Sequence, residues 1–220
     1  LLPMLRQNNT TKHLQSLFTV ILLALALPGV GWARPIIVPD RPAMRLDDLG
    51  LYEVGYTLRG GPEVRLPVGW MSGLNSPTGA ACASAGVQNG REAWLLHVPW
   101  RGRTGVTFQE FTLKLPRVPK IDLSGATALG ADVVGKSDGV TFRVYVDGAR
   151  RLAVNRTDDA WKPFSLDLTE WAGKTVVLRF ETDPGPLDDA SFDFALWGGR
   201  EIFLSGFKPL VQSHPAPAAL

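Results

Sequence analysis

The 220 residues are 45% hydrophobic and 20% charged, too apolar for a disordered chain and ordinary for a folded one. Only Arg6 and Lys12 of the 23 Lys and Arg precede Arg34, so the rest of the chain balances 21 basic against 21 acidic residues and has little electrostatic reason to bind nucleic acid. Cys82 is the single cysteine, which excludes an intrachain disulfide and a cysteine-based metal cluster and leaves stability to a hydrophobic core.

Along the chain, Arg6, Lys12 and His13 precede the apolar run Leu17 to Leu27, and the small residues Gly29, Gly31 and Ala33 follow. A basic head, a short apolar middle and a small-residue end define a secretory signal over residues 1–33, cleaved after Ala33. The expected location is therefore secreted, periplasmic or cell-surface, with no membrane attachment once the signal is removed. The alternative is an uncleaved anchor, because a tilted helix from Leu14 to Gly31 could span a bilayer. Residues 34–46, with Pro35, Pro39 and Pro42, read as a connector, residues 47–206 as one β-sandwich domain, and residues 207–220 as a Pro/Ala-rich tail or linker.

Within 47–206 short alternating runs recur between Gly, Pro and Asp. The clearest is Val140 to Val146, with Val140, Phe142, Val144 and Val146 on one face and Thr141, Arg143 and Tyr145 on the other. Asp147-Gly148 then signals a hairpin into residues 151–155. Residues 51–58, 63–66, 93–98, 105–115, 120–123, 164–168, 176–181, 192–197 and 201–203 read as further strands. In 105–115 the apolar phase slips between Phe108 and Phe111, which predicts a β-bulge near Gln109-Glu110. Thr78 to Gly86 is a small-residue stretch in which Cys82 is read as a small buried or loop residue. About ten strands at this spacing predict an all-β, two-sheet antiparallel β-sandwich of the jelly-roll kind.

Chemistry is sparse. A Ser or Cys nucleophile needs a base, and after residue 33 only His97 and His214 are available. His214 falls in the tail, and no Gly-x-Ser-x-Gly elbow accompanies His97, which reads as a structural hydrogen-bonding residue. The acid pairs Asp158-Asp159 and Asp188-Asp189 sit in turn-like stretches, where Asp commonly bonds its own backbone. No catalytic residue and no cofactor is expected. The run Asp183 to Asp193 alone offers enough carboxylate oxygens for a structural calcium, without the spacing of an EF-hand. The remaining lead is aromatic: Trp94, Trp171 and Trp197 fit strand patterns, whereas Trp100, beside Arg101-Gly-Arg103, and Trp161, after Asp158-Asp159-Ala160, stand next to turns. An exposed indole can cover the flat C–H face of a sugar while polar neighbours take its hydroxyls. Trp100 and Trp161, with the wet-face pair Arg143 and Tyr145, are the candidate ligand-binding residues.

The series His97-Val-Pro-Trp-Arg-Gly-Arg-Thr-Gly105, Leu113 to Pro116, Ser137-Asp-Gly-Val-Thr-Phe-Arg-Val144, Trp161 with Leu166 to Leu168, Trp171 to Lys174 and Phe192 to Gly198 resembles the NPCBM-like branch of galactose-binding-like domains. The resemblance covers roughly residues 50 to 205. It implies a jelly roll, carbohydrate binding and attachment to a secreted bacterial glycoside hydrolase. The leading expectation is accordingly a non-catalytic carbohydrate-binding or accessory module of an exported polysaccharide-acting protein, with a glycan as partner and a covalently linked catalytic domain. A structural or protein-interaction domain of a secreted or surface protein is the second reading, and a small sandwich-type glycan hydrolase the third.

Overall fold

The computed structural model describes residues 34–39 and 41–206, so the expected leader and tail lie outside the described residues. Thirteen strands are formed among them: β1 (Ile36–Ile37), β2 (Ala43–Arg45), β3 (Glu53–Leu58), β4 (Glu63–Arg65), β5 (Ala81–Gln88), β6 (Arg91–His97), β7 (Gly105–Lys114), β8 (Lys120–Leu129), β9 (Val140–Val146), β10 (Ala149–Arg156), β11 (Lys162–Asp167), β12 (Thr175–Asp183) and β13 (Ala195–Ser205). The seven-stranded sheet runs β10-β9-β12-β7-β3-β4, with β1 parallel to the end of β7; the six-stranded sheet runs β11-β8-β13-β6-β5, with β2 beside β13. The two sheets form the expected β-sandwich of the jelly-roll kind.

Alternation explains which side chains meet. Val140, Phe142, Val144 and Val146 of β9 and Val176, Leu178 and Phe180 of β12 are fully buried and face the interior. The β9–β10 hairpin turns at Asp147 and Gly148, both at positive φ (47° and 77°), the turn that suits the strand twist. Trp197 of β13 sits at the centre, edge-on to Phe142 and Phe180 with ring centroids 5.0 and 5.3 Å away, and its Nε1 donates to Thr182 Oγ1 at 3.1 Å. Burying that indole without a partner for its N–H would forfeit a hydrogen bond in a dry site.

Residues 192–203, which read as two short strands, contribute to one long one with a register shift between Gly198 and Glu201. The extra residue in this bulge lets both Trp197 and Arg200 point inward. Arg200 is almost fully buried, donates to Asp47 and to Gln109 Oε1 (2.8 Å), and lies 4.8 Å over the Phe180 ring. That ion pair ties the segment before β3 to both sheets.

Two sequence expectations change. The bulge at Gln109-Glu110 is absent: β7 pairs with β12 in unbroken register from Thr107 to Lys114. The phase slip instead marks one polar residue facing in and one apolar residue facing out. Gln109 turns inward to receive Arg200, while Phe108, also fully buried, lies on the outer face under the guanidinium of Arg179 at 3.7 Å. Cys82, read as a small buried or loop residue, is buried within strand β5, and burial pushes its thiol up to about 12. Residues 34–46, read as a connector, contain β1 and β2 and so pair with each sheet in turn, which three prolines permit because both strands are short edge pieces.

Candidate functional site

The sandwich presents two outer faces, and they separate the four candidate residues. Arg143 and Tyr145 of β9 lie on the outside of the seven-stranded sheet. Trp100 and Trp161 lie on the side of the six-stranded sheet.

On the seven-stranded sheet the outer face is a lattice of ion pairs. Arg143 Nη1 bonds Glu181 and Asp183, each at 3.0 Å, and the Tyr145 hydroxyl donates to the same Glu181 carboxylate at 3.2 Å. Arg179 reaches Glu110 and Glu63; Arg65 reaches Glu53, Glu63 and Glu110; Arg59 reaches Asp183 and Asp188. Phe108 is the floor under Arg179 and Arg65. Gly55 makes room for it, since a Cβ there would stand 2.2 Å from the Phe108 ring. The carboxylates raise the Arg179, Arg143 and Arg65 pKa values against the opposing effect of burial, so the guanidinium groups stay charged. The polar groups of this face satisfy one another. A cavity of about 320 Å³ remains beside Tyr145, Glu110, Arg179 and Glu181.

The six-stranded sheet is different. Leu95 and Leu196 pair across β6 and β13 and point outward, opposite to the inward pair Trp94 and Trp197. Phe192 and Phe194 continue this outward row ahead of β13. They wall two adjoining cavities: one of about 540 Å³, bordered by Leu95, Leu196, Val133, Gln88, Asp132 and Lys136, and one of about 410 Å³, bordered by His97, Trp100, Thr104, Asp189 and Ser191. Phe192 is 49% exposed and Trp100 47% exposed, large values for aromatic side chains.

Local structure fixes each of these groups. Trp100 follows β6, its backbone N–H bonded to Thr78 O, and its indole rests on Gly79, where a Cβ would come within 2.3 Å of the ring. Gly79 also has φ +79°, a conformation that disfavours any side chain. Arg101 stacks 4.8 Å from the Trp100 ring centroid. His97 is buried edge-on to Phe194, and burial lowers its pKa, so the ring is neutral. Its Nδ1 lies 2.7 Å from the Val98 carbonyl oxygen, which can only accept, so Nδ1 carries the hydrogen and Nε2 is left as an acceptor. Asp189 accepts from the Ser191 N–H at 2.9 Å, a bond that holds its carboxyl below the usual range. The second cavity thus combines aromatic surface with a carboxylate, an imidazole nitrogen and two hydroxyls.

Trp161 lies on the same outer face but is half-buried: it packs on Gly198, donates from Nε1 to Gln88 O at 2.9 Å, and carries Arg91 5.6 Å from its centroid. Gln88 borders the larger cavity, so Trp161 supports its rim. Phe192, Phe194 and Asp189, which border these cavities, are not among the ligand-binding candidates that the sequence offered. The two phenylalanines share parity with Leu196 and so read as ordinary strand positions. Among the acid pairs, Asp158 and Asp189 do accept backbone N–H bonds two residues on, as their turn-like settings implied.

No protein-family model matches the chain. An uncharacterized protein of Archaeoglobus fulgidus is 35% identical over 112 residues, 46% of this chain, and the chain spans 27% of that protein's length. Among solved structures, the CBM51 of Clostridium perfringens GH95 in complex with methyl-galactose is similar at 11% identity and a TM-score of 0.43, over 73% of this chain and 99% of that one. TmCBM61 in complex with β-1,4-galactotriose is similar at 12% identity and a TM-score of 0.44, over 70% and 88%. The CBM22-1 xylan-binding domain of Paenibacillus barcinonensis Xyn10C is similar at 14% identity and a TM-score of 0.39, over 59% and 82%. Likeness this distant assigns no site, and the functional reading rests on the residues of this chain.

Proposed function

We propose that the chain is a non-catalytic carbohydrate-binding module of an exported, polysaccharide-acting protein, and that its glycan lies along the outer face of the six-stranded sheet. The observation that carries this reading is the pair of adjoining cavities that share Phe192 and Phe194 as a wall, with half-exposed Trp100 at the rim. A pyranose ring presents apolar C–H patches edged by hydroxyl donors. The aromatic rings meet the patches, and Asp189 with the neutral His97 ring accepts from the hydroxyls. In this reading Trp161 is a support, and Arg143 and Tyr145 belong to the self-satisfied ionic face rather than to the ligand.

The test is affinity gel electrophoresis against a panel of neutral and acidic polysaccharides. Wild-type protein is retarded by at least one of them, Trp100→Ala and Phe192→Ala abolish the retardation, and Arg143→Ala keeps it. Migration unaffected by every glycan would sink the proposal and leave the protein-interaction reading, which a pull-down from the native secretome addresses.

A further inference from the structure

The 21 basic and 21 acidic residues that follow residue 33 balance in number but not in place. At the end of the sandwich where β7 closes, the chain crosses from one sheet to the other. Val38, after β1, donates from its N–H to the Lys114 carbonyl at 3.0 Å, and the Pro42 carbonyl, before β2, accepts from the Leu204 N–H at 2.8 Å. Beside this crossing the segment after β7 zips to the segment before β12: the Gly173 N–H bonds Pro116 O and the Leu115 N–H bonds Lys174 O, each at 3.0 Å. The zip gathers cations. Lys114 Nζ donates to the Gly173 carbonyl at 2.6 Å, and Arg117 lies across Gly173, where a Cβ would stand 2.6 Å from its Cγ. Gly173, at φ +77°, is the seat for both, and Lys174 is the next residue. Arg41 lies on the crossing itself.

Arg41, Lys114, Arg117 and Lys174 are all exposed, and among the described residues none of them pairs with a carboxylate. The acids of this end are taken: Lys120 holds Asp122 at 3.0 Å and Asp167 at 2.7 Å, and Arg151 holds Glu170 at 3.0 Å. The end is therefore net positive. It also carries bare apolar side chains. Ile37 stands in register with Lys114 on the outward side of the seven-stranded sheet and is 76% exposed. Phe203, in register with Ala43 across the crossing, is 41% exposed on the other sheet. A soluble acidic polymer would use the cations and leave Ile37 and Phe203 wet. A bilayer surface uses both, because anionic headgroups meet the cations while the acyl boundary takes the apolar tips.

We propose that this end of the sandwich adsorbs to an anionic phospholipid surface, with Arg41, Lys114, Arg117 and Lys174 on the headgroups and Ile37 set between them. The sequence led to no expectation of membrane attachment once the leader is removed, because it was read for spanning segments. Adsorption needs none: it is the sum of several weak attractions, each surface cation strengthening it about fivefold. Strand β13 joins this end to the cavities. Phe194 immediately precedes its first residue and Phe203 lies near its last, so at about 3.3 Å per residue the two ends are roughly 30 Å apart. Adsorption therefore leaves both cavities clear of the lipid and facing outward. That consequence rests on the glycan reading; the adsorption itself does not.

The experiment is co-sedimentation of the full chain with vesicles of phosphatidylcholine, alone or mixed with phosphatidylglycerol, and no glycan present. Residues 1–33 are common to wild type and every variant, so differences between them report on this end alone. Wild type is expected to sediment with the phosphatidylglycerol vesicles at about 0.1 M NaCl, far less with phosphatidylcholine, and to be released toward about 1 M, where the screening length shrinks from ~10 to ~3 Å. Lys114→Gln, Arg117→Gln and Lys174→Gln combined should lower the partition roughly 100-fold, and Ile37→Ser roughly tenfold. If the combined variant does not fold, Arg41→Gln, outside the zip, should still lower it about fivefold. Equal sedimentation of wild type with both vesicle types overturns the proposal, as does a charge variant that binds like wild type. Ile37→Ser binding like wild type also overturns it, since attraction by charge alone is what a soluble acidic polysaccharide would receive. Glycan retardation is measured separately on the same variants and should be unchanged, so failure of the lipid surface and failure of the glycan site are told apart.

Discussion

The outer faces of the two sheets invite comparison, because both are built by the same alternation and only one is left open. On the seven-stranded sheet the outward Arg and Glu side chains of β4, β7 and β12 pair with one another across the strands, and Phe108 is sealed beneath two guanidinium groups. On the six-stranded sheet the outward row is Phe192, Phe194, Leu95 and Leu196, and it borders two adjoining cavities. A surface whose polar groups have already found partners gives a ligand little to gain. A surface that leaves aromatic area and acceptors unspent is the one recognition can use.

The comparison can be broken or sharpened by substitution, beginning with the largest effect. Phe108→Ala empties the floor of the ionic face and is expected to cost about 3–5 kcal/mol in urea unfolding, while folded protein keeps its glycan retardation. Equal loss of retardation beyond the unfolded fraction would mean the two faces are coupled. Glu110→Ala strands Arg65 and Arg179 together, and because both guanidinium groups still reach solvent the expected cost is discounted to about 2 kcal/mol. A chevron or urea midpoint measurement checks it.

On the open face the balance reverses. Trp100→Ala is expected to change stability by about 1 kcal/mol or less but to weaken glycan binding by about 2 kcal/mol, roughly 30-fold, measured by titration with the glycan that retards wild type. Gly79→Ala tests the seat of that indole: the added methyl cannot coexist with the ring as placed and the positive φ disfavours it, so a stability loss of about 1–2 kcal/mol should accompany weaker binding. Unchanged affinity in this variant would show that the position of Trp100 is immaterial.

The smallest effect concerns pH. His97 is held neutral by burial, so its folded pKa lies below the unfolded value near 6.5. The unfolded chain then takes up the extra proton as pH falls below that value, and stability drops until the folded pKa is passed. Measured as the melting temperature of wild type minus that of His97→Gln, which lacks this titration, the difference should fall steadily as pH is lowered from 7.5 to 5. Parallel curves would refute the assignment.

Much of this was legible in the sequence, for physical reasons. Period-two alternation with Gly, Pro and Asp punctuation fixes strands such as β9 and β12 locally, because a strand with one apolar face has only one way to bury it. The hairpin at Asp147-Gly148 and the inward Trp197 follow from the same local rules. Where a side chain breaks alternation the local rule misleads: Phe108 and Gln109 looked like a bulge because the partners that reconcile them, Arg179 and Arg200, lie far along the chain.

The candidate site was legible only in part. Trp100 stood out beside a turn, and Trp161 did too, but the sequence had no means of showing that Phe192 and Phe194 join Trp100 while Arg143 and Tyr145 face the other way. Nor could it show that Asp138 and Asp193 hold carboxylate oxygens shielded from solvent and without a hydrogen-bond partner. Residue type and periodicity determined that this chain forms layered sheets with a Trp-centred core, since burial of one face depends on neighbours two residues apart. Which outer face closes on itself, and which acids are left without a partner, was decided by strand order, because contacts between distant segments exist only once the sheets have assembled.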